Sequence, residues 1–355
     1  MVKEEFKKRF TRREFLKTSG AISGAALGGS LLHPFSATAK RKIPKQTAIR
    51  IGSSHFIGAI AWWYAKDLYT PDSIIWNWVD LGEFAAGRFT ALQRGLIDIA
   101  VIPMTYVVRG ISQDYDFKVF VGTAGGCSRV VAHKDTDIYK LADLKGKRLG
   151  ILKFSSQDVY LILAFDALGL DWQKDVKRID LANVSTLVGA LQKKEVDAVA
   201  IWDPWGSKIL VEGFGRDIPG IYKYWSKMHE IGVVRTDFLE TAPKPMQELT
   251  NAIVKGVVKT KIDPEGWARD GHLISGVGEK ASELAVKNAI PDVTIPLEDT
   301  KRLARKMYQL GVIKKDVEGI IEDHLHYDFL MKATHQPKEV LSKFGYCPNT
   351  IEEVG

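Results

Sequence analysis

One stretch of this chain is used twice. "ALQRGLIDIAVI" begins at Ala91 and "ALQKKEVDAVAI" begins at Ala190, 99 residues later. At that offset Ala, Leu, Gln, Asp and the final Ile coincide, and Ile97 corresponds to Val196. Each copy reads as a helix that runs through a tight turn into a buried strand. Repetition of such a unit predicts two similar lobes.

The surroundings of each copy carry the same rhythm. Around the first, "AIRIGSS" reads as a strand ending in a polar turn, "FIGAIAWWYAKDLY" as a helix, "SIIWNWVDL" as a half-buried strand, "AAGRFTALQRG" as a helix and "IDIAVIP" as a buried strand. Around the second, "KRLGIL", "VKRIDLA" and "VDAVAIWD" read as strands, with "SQDVYLILAFDALG" and "VSTLVGALQKKE" as helices between them. Strands separated by helical segments predict mostly parallel sheets flanked by helices, an α/β fold. After about Thr241 the strand rhythm stops. "KPMQELTNAIVKGVVKTKI", "EKASELAVKNAI", "LEDTKRLARKMYQLG" and "KKDVEGIIEDHLHYDFLMKA" read as amphipathic helices, and "PEGWARD" adds another. These extra helices are expected to cover one lobe. The chain of 355 residues also exceeds what one core usually serves.

The first 39 residues read as an export signal. Arg12 and Arg13 in "TRREFLK" precede an apolar, Gly/Ala-rich run and a small-residue pattern, "SATA", ending at Ala39. The motif resembles a twin-arginine signal, which implies passage through the twin-arginine translocase in a folded state. The run is too short and too glycine-rich for a stable membrane span. The expected location is periplasmic or extracytoplasmic, with the signal cleaved near Ala39 or kept as an anchor. The net charge is +7, of which residues 1–39 hold +4. The remaining +3, without a basic stripe interleaved with aromatics, excludes nucleic acid as an expected partner. Cys127 and Cys347 belong to no metal spacing, and the sequence leaves open whether they pair.

In doubly wound sheets, ligands sit beyond the carboxyl ends of the strands. The residues there are Ser53, Ser54, His55 and Phe56 after the first strand, Gly87 and Arg88 after the second, Ser155, Ser156 and Gln157 after the fifth expected strand, and Trp202 and Asp203 at the close of the repeat. Few of these are suited to acid–base or nucleophilic work. A serine pair opening a helix in each lobe offers free N–H groups and the positive ends of two helix dipoles, a socket for an anion, though serines also serve as ordinary caps. Arg88 can grip a carboxylate or sulfonate through two hydrogen bonds. Phe56, Phe154 and Trp202 favour a ligand with a flat or apolar body. Trp62, Trp63 and Tyr64 lie inside a helix and Trp76 and Trp78 share a strand face, so all five are expected to pack. His324 and His326 stand two apart, which on a helix separates them, and no metal site is expected. No catalytic group and no cofactor is expected either.

"RIGSSHF", "AAGRFTALQRGLIDIAVIP", "LADLKGKRLGILKFSSQDVYLILAFDALGL" and "EVDAVAIWDPW" together resemble the solute-binding proteins of ABC importers for nitrate, sulfonate and taurine, over roughly Ala48 to Thr236. The resemblance implies a two-lobed periplasmic-binding-protein fold of type II, with residues 46–135 plus 232–355 as one lobe and 136–231 as the other. The hinge strands would cross near Asp135–Tyr139 and Tyr224–Thr236. It also implies a monomer that delivers a small solute to a membrane permease and its ATPase, with the residues above around the ligand. The chain departs from the family where Arg88 replaces a usual proline and Phe154 a common glycine, positions beside the ligand. Two alternatives stay open: an enzyme like the thiamine-pyrimidine synthases, which share the fold, and an exported ligand sensor.

Overall fold

The computed structural model describes residues 46–52, 55–81, 85–223 and 227–355. The export signal and the pair Ser53–Ser54 lie outside them. Gln46 to Gly355 forms one unit.

Two sheets organise that unit. The strands are β1 (Thr47–Gly52), β2 (Ile74–Val79), β3 (Ile99–Pro103), β4 (Lys118–Gly126), β5 (Ser128–His133), β6 (Arg148–Ile151), β7 (Lys177–Asp180), β8 (Ala198–Trp202), β9 (Gly215–Ile218), β10 (Met228–Val234) and β11 (Ala289–Pro291). The first sheet runs β11-β4-β10-β3-β1-β2 and the second β7-β6-β8-β5-β9. Without β11 the two orders have the same plan. In each, a parallel trio sits beside one antiparallel strand supplied by the other half of the chain, β10 in the first sheet and β5 in the second.

The helices are α1 (Ile60–Tyr64), α2 (Ala85–Gln93), α3 (Met104–Ser112), α4 (Ser156–Ala167), α5 (Val184–Gln192), α6 (Trp205–Val211), α7 (Thr236–Thr241), α8 (Pro243–Ile262), α9 (Pro264–Ser275), α10 (Glu279–Val286), α11 (Leu297–Gln309), α12 (Asp328–Thr334) and α13 (Lys338–Leu341). Both faces of the second sheet are buried. Ala198 and Ala200 of β8 join the main core, and Val199 and Ile201 join a second cluster with Leu187 and Leu191 of α5. α8 packs across α1 closely enough that a Cβ on Gly256 would sit 2.1 Å from the Ala61 carbonyl oxygen.

The repeated sequence has a physical counterpart. In the first lobe Asp98 accepts from the Arg50 backbone N–H at 2.9 Å and from its guanidinium, while Arg50 Nη1 reaches the Gly95 carbonyl. In the second lobe Asp197 accepts from the Arg148 backbone N–H at 2.7 Å and from its guanidinium, while Arg148 Nη2 reaches the Lys194 carbonyl. Gly95 and Lys194 both adopt left-handed φ, at 65° and 60°. The same helix-turn-strand corner is thus tied to the neighbouring strand by the same Arg–Asp clasp, and Ile97 and Val196 are buried beneath it.

Four expectations need correction. The chain changes sheet at Cys127, not at Asp135–Tyr139, so β5 already belongs to the second lobe; it returns between Ile218 and Met228, ahead of residue 232. Only Cys127 separates β4 from β5, and Gly126 and Cys127 turn the chain with φ of 76° and 67°. Apolar residues continue through both strands, so hydropathy does not mark the change. The strand rhythm does not end at Thr241 either: β11 covers the outer edge of β4. The segment around His324 is not one helix. His326 donates its N–H to the Val119 carbonyl at 2.8 Å, which holds Leu325 extended between a 3-10 turn and α12. The helix expected before Tyr69 is built of a 3-10 turn (Ile57–Ala59), α1 and a wider π turn (Ala65–Tyr69).

Candidate functional site

The carboxyl ends of β1, β3, β6 and β8 lead into the residues singled out from sequence. After β1, His55 is half-buried with its ring 6.2 Å from that of Trp63, and Phe56 is buried. Burial pushes the His55 imidazole down from its ordinary value; the Asp80 charge opposes this and the Arg88 charge adds to it. On α2, Gly87 is exposed, while Arg88 is only 1% exposed. The Arg88 guanidinium carbon lies 5.8 Å from the centre of the Phe56 ring, and its Nε donates to the Val101 carbonyl at 3.0 Å. Arg88 is therefore fastened beneath the strand ends with its charge directed at Phe56.

In the second lobe, Ser155 is the N-cap of α4, and its hydroxyl accepts from the Asp158 N–H at 3.3 Å. Its own N–H is taken by the Leu152 carbonyl at 2.9 Å, so Ser155 offers no backbone donor to a ligand. The donor that remains at this helix start is the N–H of Ser156. Gln157 reaches back to the Ser128 hydroxyl at 2.9 Å. Ser128 in turn receives support from Tyr222, whose hydroxyl accepts the Ser128 N–H at 2.8 Å and donates to the Gly126 carbonyl. This chain of bonds places polar groups from α4 at the crossing from β4 to β5. Phe154 has φ of 58°, in the left-handed region that favours glycine. That explains why glycine suits this position in related sequences.

Asp203 has a different role from the one expected. It is fully buried, and its carboxylate is saturated by the protein: Arg129 Nε lies 3.0 Å from both oxygens, Ser207 donates through N and Oγ at 3.0 and 2.7 Å, and Asn288 Nδ2 donates at 2.9 Å. Burial raises its carboxyl from the ordinary value, and the Arg129 charge is the largest opposing influence. Asp203 ties β5 and α6 to the segment after α10. Trp202 is half-buried against both cores and pairs in register with Ser128, so it borders the crossing.

The other expectations divide plainly. Trp62, Trp63 and Tyr64 are buried, and Trp76 and Trp78 stack with them at centroid separations of 4.8 to 6.2 Å. His324 and His326 pack on Phe117 and Phe329. Cys127 and Cys347 are both buried free thiols. Burial raises Cys127 well above the ordinary thiol value, with the Asp203 and Glu230 charges adding to it.

Three residues at the site escaped the sequence reading. Arg109 of α3, in the first lobe, donates to the Phe154 carbonyl of the second at 3.1 Å and lies against the Tyr106 and Phe154 rings at 5.2 and 5.6 Å. It is the one charge in "MTYVVRGI", a helix otherwise apolar apart from Thr105, and that isolation was the available signal. Tyr222 lies beyond any recognisable strand end and gave no signal. Glu230, a lone acid in the run Glu230 to Val234, stands opposite Pro103 and Ala124 in the first sheet.

This paired-lobe arrangement, with polar groups converging where the chain crosses, agrees with what the sequence matches. The NMT1-like family profile covers residues 45–264. The chain belongs to that family. An Escherichia coli K12 protein named for binding aliphatic sulfonates is 28% identical over 254 residues, 69% of this chain and 73% of that one. A Brucella abortus (strain 2308) protein named as a binding protein is 33% identical over 103 residues, and the chain spans 30% of its length. Among solved structures, the periplasmic aliphatic sulphonate binding protein SsuA from Escherichia coli matches with a TM-score of 0.68 at 21% identity, covering 79% of this chain and 92% of that one. The periplasmic nitrate-binding protein NrtA from Synechocystis PCC 6803 matches at 0.70 and 12%, covering 87% and 93%. The desulfurization enzyme DSZB matches at 0.60 and 13%, covering 80% and 98%. These likenesses establish the periplasmic-binding-protein fold, which serves binding and catalysis alike.

Proposed function

We propose that this protein works outside the cytoplasmic membrane as the solute-binding component of an ABC importer. It captures a small anionic organic solute between its lobes and hands it to the permease and its ATPase. The observation that carries this reading is the meeting of two matched lobes at one polar crossing, bridged by Arg109 and floored by Ser156, Gln157 and Ser128. Arg88, Arg109 and the α4 N-terminus supply positive charge or N–H donors there. Closure would be stabilised by contacts a ligand makes with both lobes at once. The twin-arginine motif supports export in the folded state. Relatives named for binding sulfonates support an anionic, sulfonate- or carboxylate-like cargo, and Phe56 and Trp202 support one with an apolar body.

The chemistry at hand favours binding over catalysis. The buried Cys127 thiol is pushed away from its reactive thiolate form. His55 has no nucleophile partner among the described residues. A thermal-shift panel tests the reading, with sulfonates, nitrate, aromatic and aliphatic carboxylates, thiamine precursors and pyridoxal phosphate. A ligand present at 100 times its Kd adds about 2.7 kcal/mol of stability. A rise with one anionic class is the expected result. A rise with pyridoxal phosphate alone would replace this reading with an enzymatic one.

A further inference from the structure

The site carries buried charge of both signs against one aromatic ring. Arg88 lies 5.8 Å from the centre of Phe56. Glu230 reaches the same ring from the β10 side: a Cβ on Gly58 would lie 3.3 Å from Phe56 Cε2 and 3.1 Å from Glu230 Cγ. Glu230 is 2% exposed, in a place where carboxylates seldom sit. Its register partners, Pro103 at the end of β3 and Ala124 near the end of β4, put it at the edge where the chain leaves the first sheet. Its influence crosses to the second lobe. Tyr160, one turn after Gln157 on α4, is raised by burial first and by the Glu230 charge next. Tyr160 in turn stacks edge-on with Tyr222, the residue that braces Ser128.

An anion with no positive group would meet Arg88 and Arg109 favourably but would be repelled by Glu230. A buried carboxylate kept within the site selects against such a ligand. We propose that the solute is a compact zwitterion. Its cationic nitrogen, an amine or a protonated ring nitrogen, lies against Glu230, its anionic group lies toward Arg88, Arg109 and the start of α4, and its body lies over Phe56. This inference rests on the reading of the crossing as a solute site and narrows the class of cargo that site takes.

Calorimetric titration of the full chain with matched probes tests it. The pairs are taurine against ethanesulfonate and 4-(aminomethyl)benzoate against 4-methylbenzoate. The amine-bearing member of at least one pair should bind roughly 10- to 100-fold more tightly, the range of one hydrogen bond to a buried charge. Glu230→Gln should shrink that margin to near unity and leave the amine-free probe bound as before, which also shows that the variant is folded. Glu230→Asp should keep the preference at reduced size, and supplies the comparison if the Gln variant does not fold. An amine-free probe that binds better than its partner, or a margin untouched in the variants, overturns the zwitterion while leaving the anion site standing. Binding of no probe in either pair overturns the inference and the anionic reading of the site together.

Discussion

Replacing Asp203 by alanine should cost stability before it costs ligand affinity. Its carboxylate holds one arginine, one backbone N–H, one hydroxyl and one amide. Removing it strands the Arg129 guanidinium in a site where that side chain is 9% exposed. Breaking a buried ion pair by deleting one partner costs roughly 3–5 kcal/mol. Arg129 keeps a contact to the half-exposed Asp217 at 3.2 Å, which places the loss at the lower end, about 3 kcal/mol. At an unfolding entropy of about 2.1 cal/mol/K per residue, a unit of this size should melt roughly 5 °C lower. Urea unfolding followed by tryptophan fluorescence measures the loss, and calorimetry measures the affinity for whichever probe raises the melting temperature most. An unchanged urea midpoint together with a tenfold loss of affinity would refute the structural role and return Asp203 to the ligand.

Other consequences are equally open to measurement. Gly256→Ala should destabilise by about 2 kcal/mol despite alanine's better helix propensity, because the added Cβ meets the Ala61 carbonyl oxygen; an unchanged melting curve would show that α8 and α1 can part cheaply. Arg109→Ala removes a bond between the lobes and should weaken binding of any ligand held by both, with melting temperature little changed; equal affinity in variant and parent would remove Arg109 from the site. Asp292 is held up to about 6 by burial, despite accepting from Thr294 and Gly345. The folded state therefore keeps this proton while the unfolded state releases it near pH 4. The Asp292 contribution should be greatest below pH 4 and fall as pH rises to 6, by roughly 3 kcal/mol. Asp292→Asn should lack that decline, and parallel pH profiles for the two proteins would contradict the sign.

Much of the fold was legible in the sequence, because local period and local turns specify it. The repeated helix-turn-strand unit announced two like lobes, and its Asp98 and Asp197 proved to be the residues that clasp Arg50 and Arg148. The crossing was not legible. Val119 to Val121 and Val130 to Ala132 are equally buried, and a single residue, Cys127, turns one sheet into the other. β11 has three residues and exists because β4 needs an edge partner, a need that no local pattern records. The site was legible where residues follow strand ends, as with Phe56, Ser156 and Gln157. It was not legible where a long-range bond decides the role. Asp203 looked like a ligand contact until Arg129 and Asn288 were seen to occupy it, and Arg109 looked like a helix residue until Phe154 was seen across from it.

The central claim is that the two lobes close on a solute held between them. Small-angle X-ray scattering of the protein, with and without the probe that gives the largest thermal shift, tests this most directly. The account predicts one bound molecule per chain and a smaller radius of gyration on binding. Saturable binding with an unchanged scattering curve would contradict it, and would place the ligand on one lobe alone.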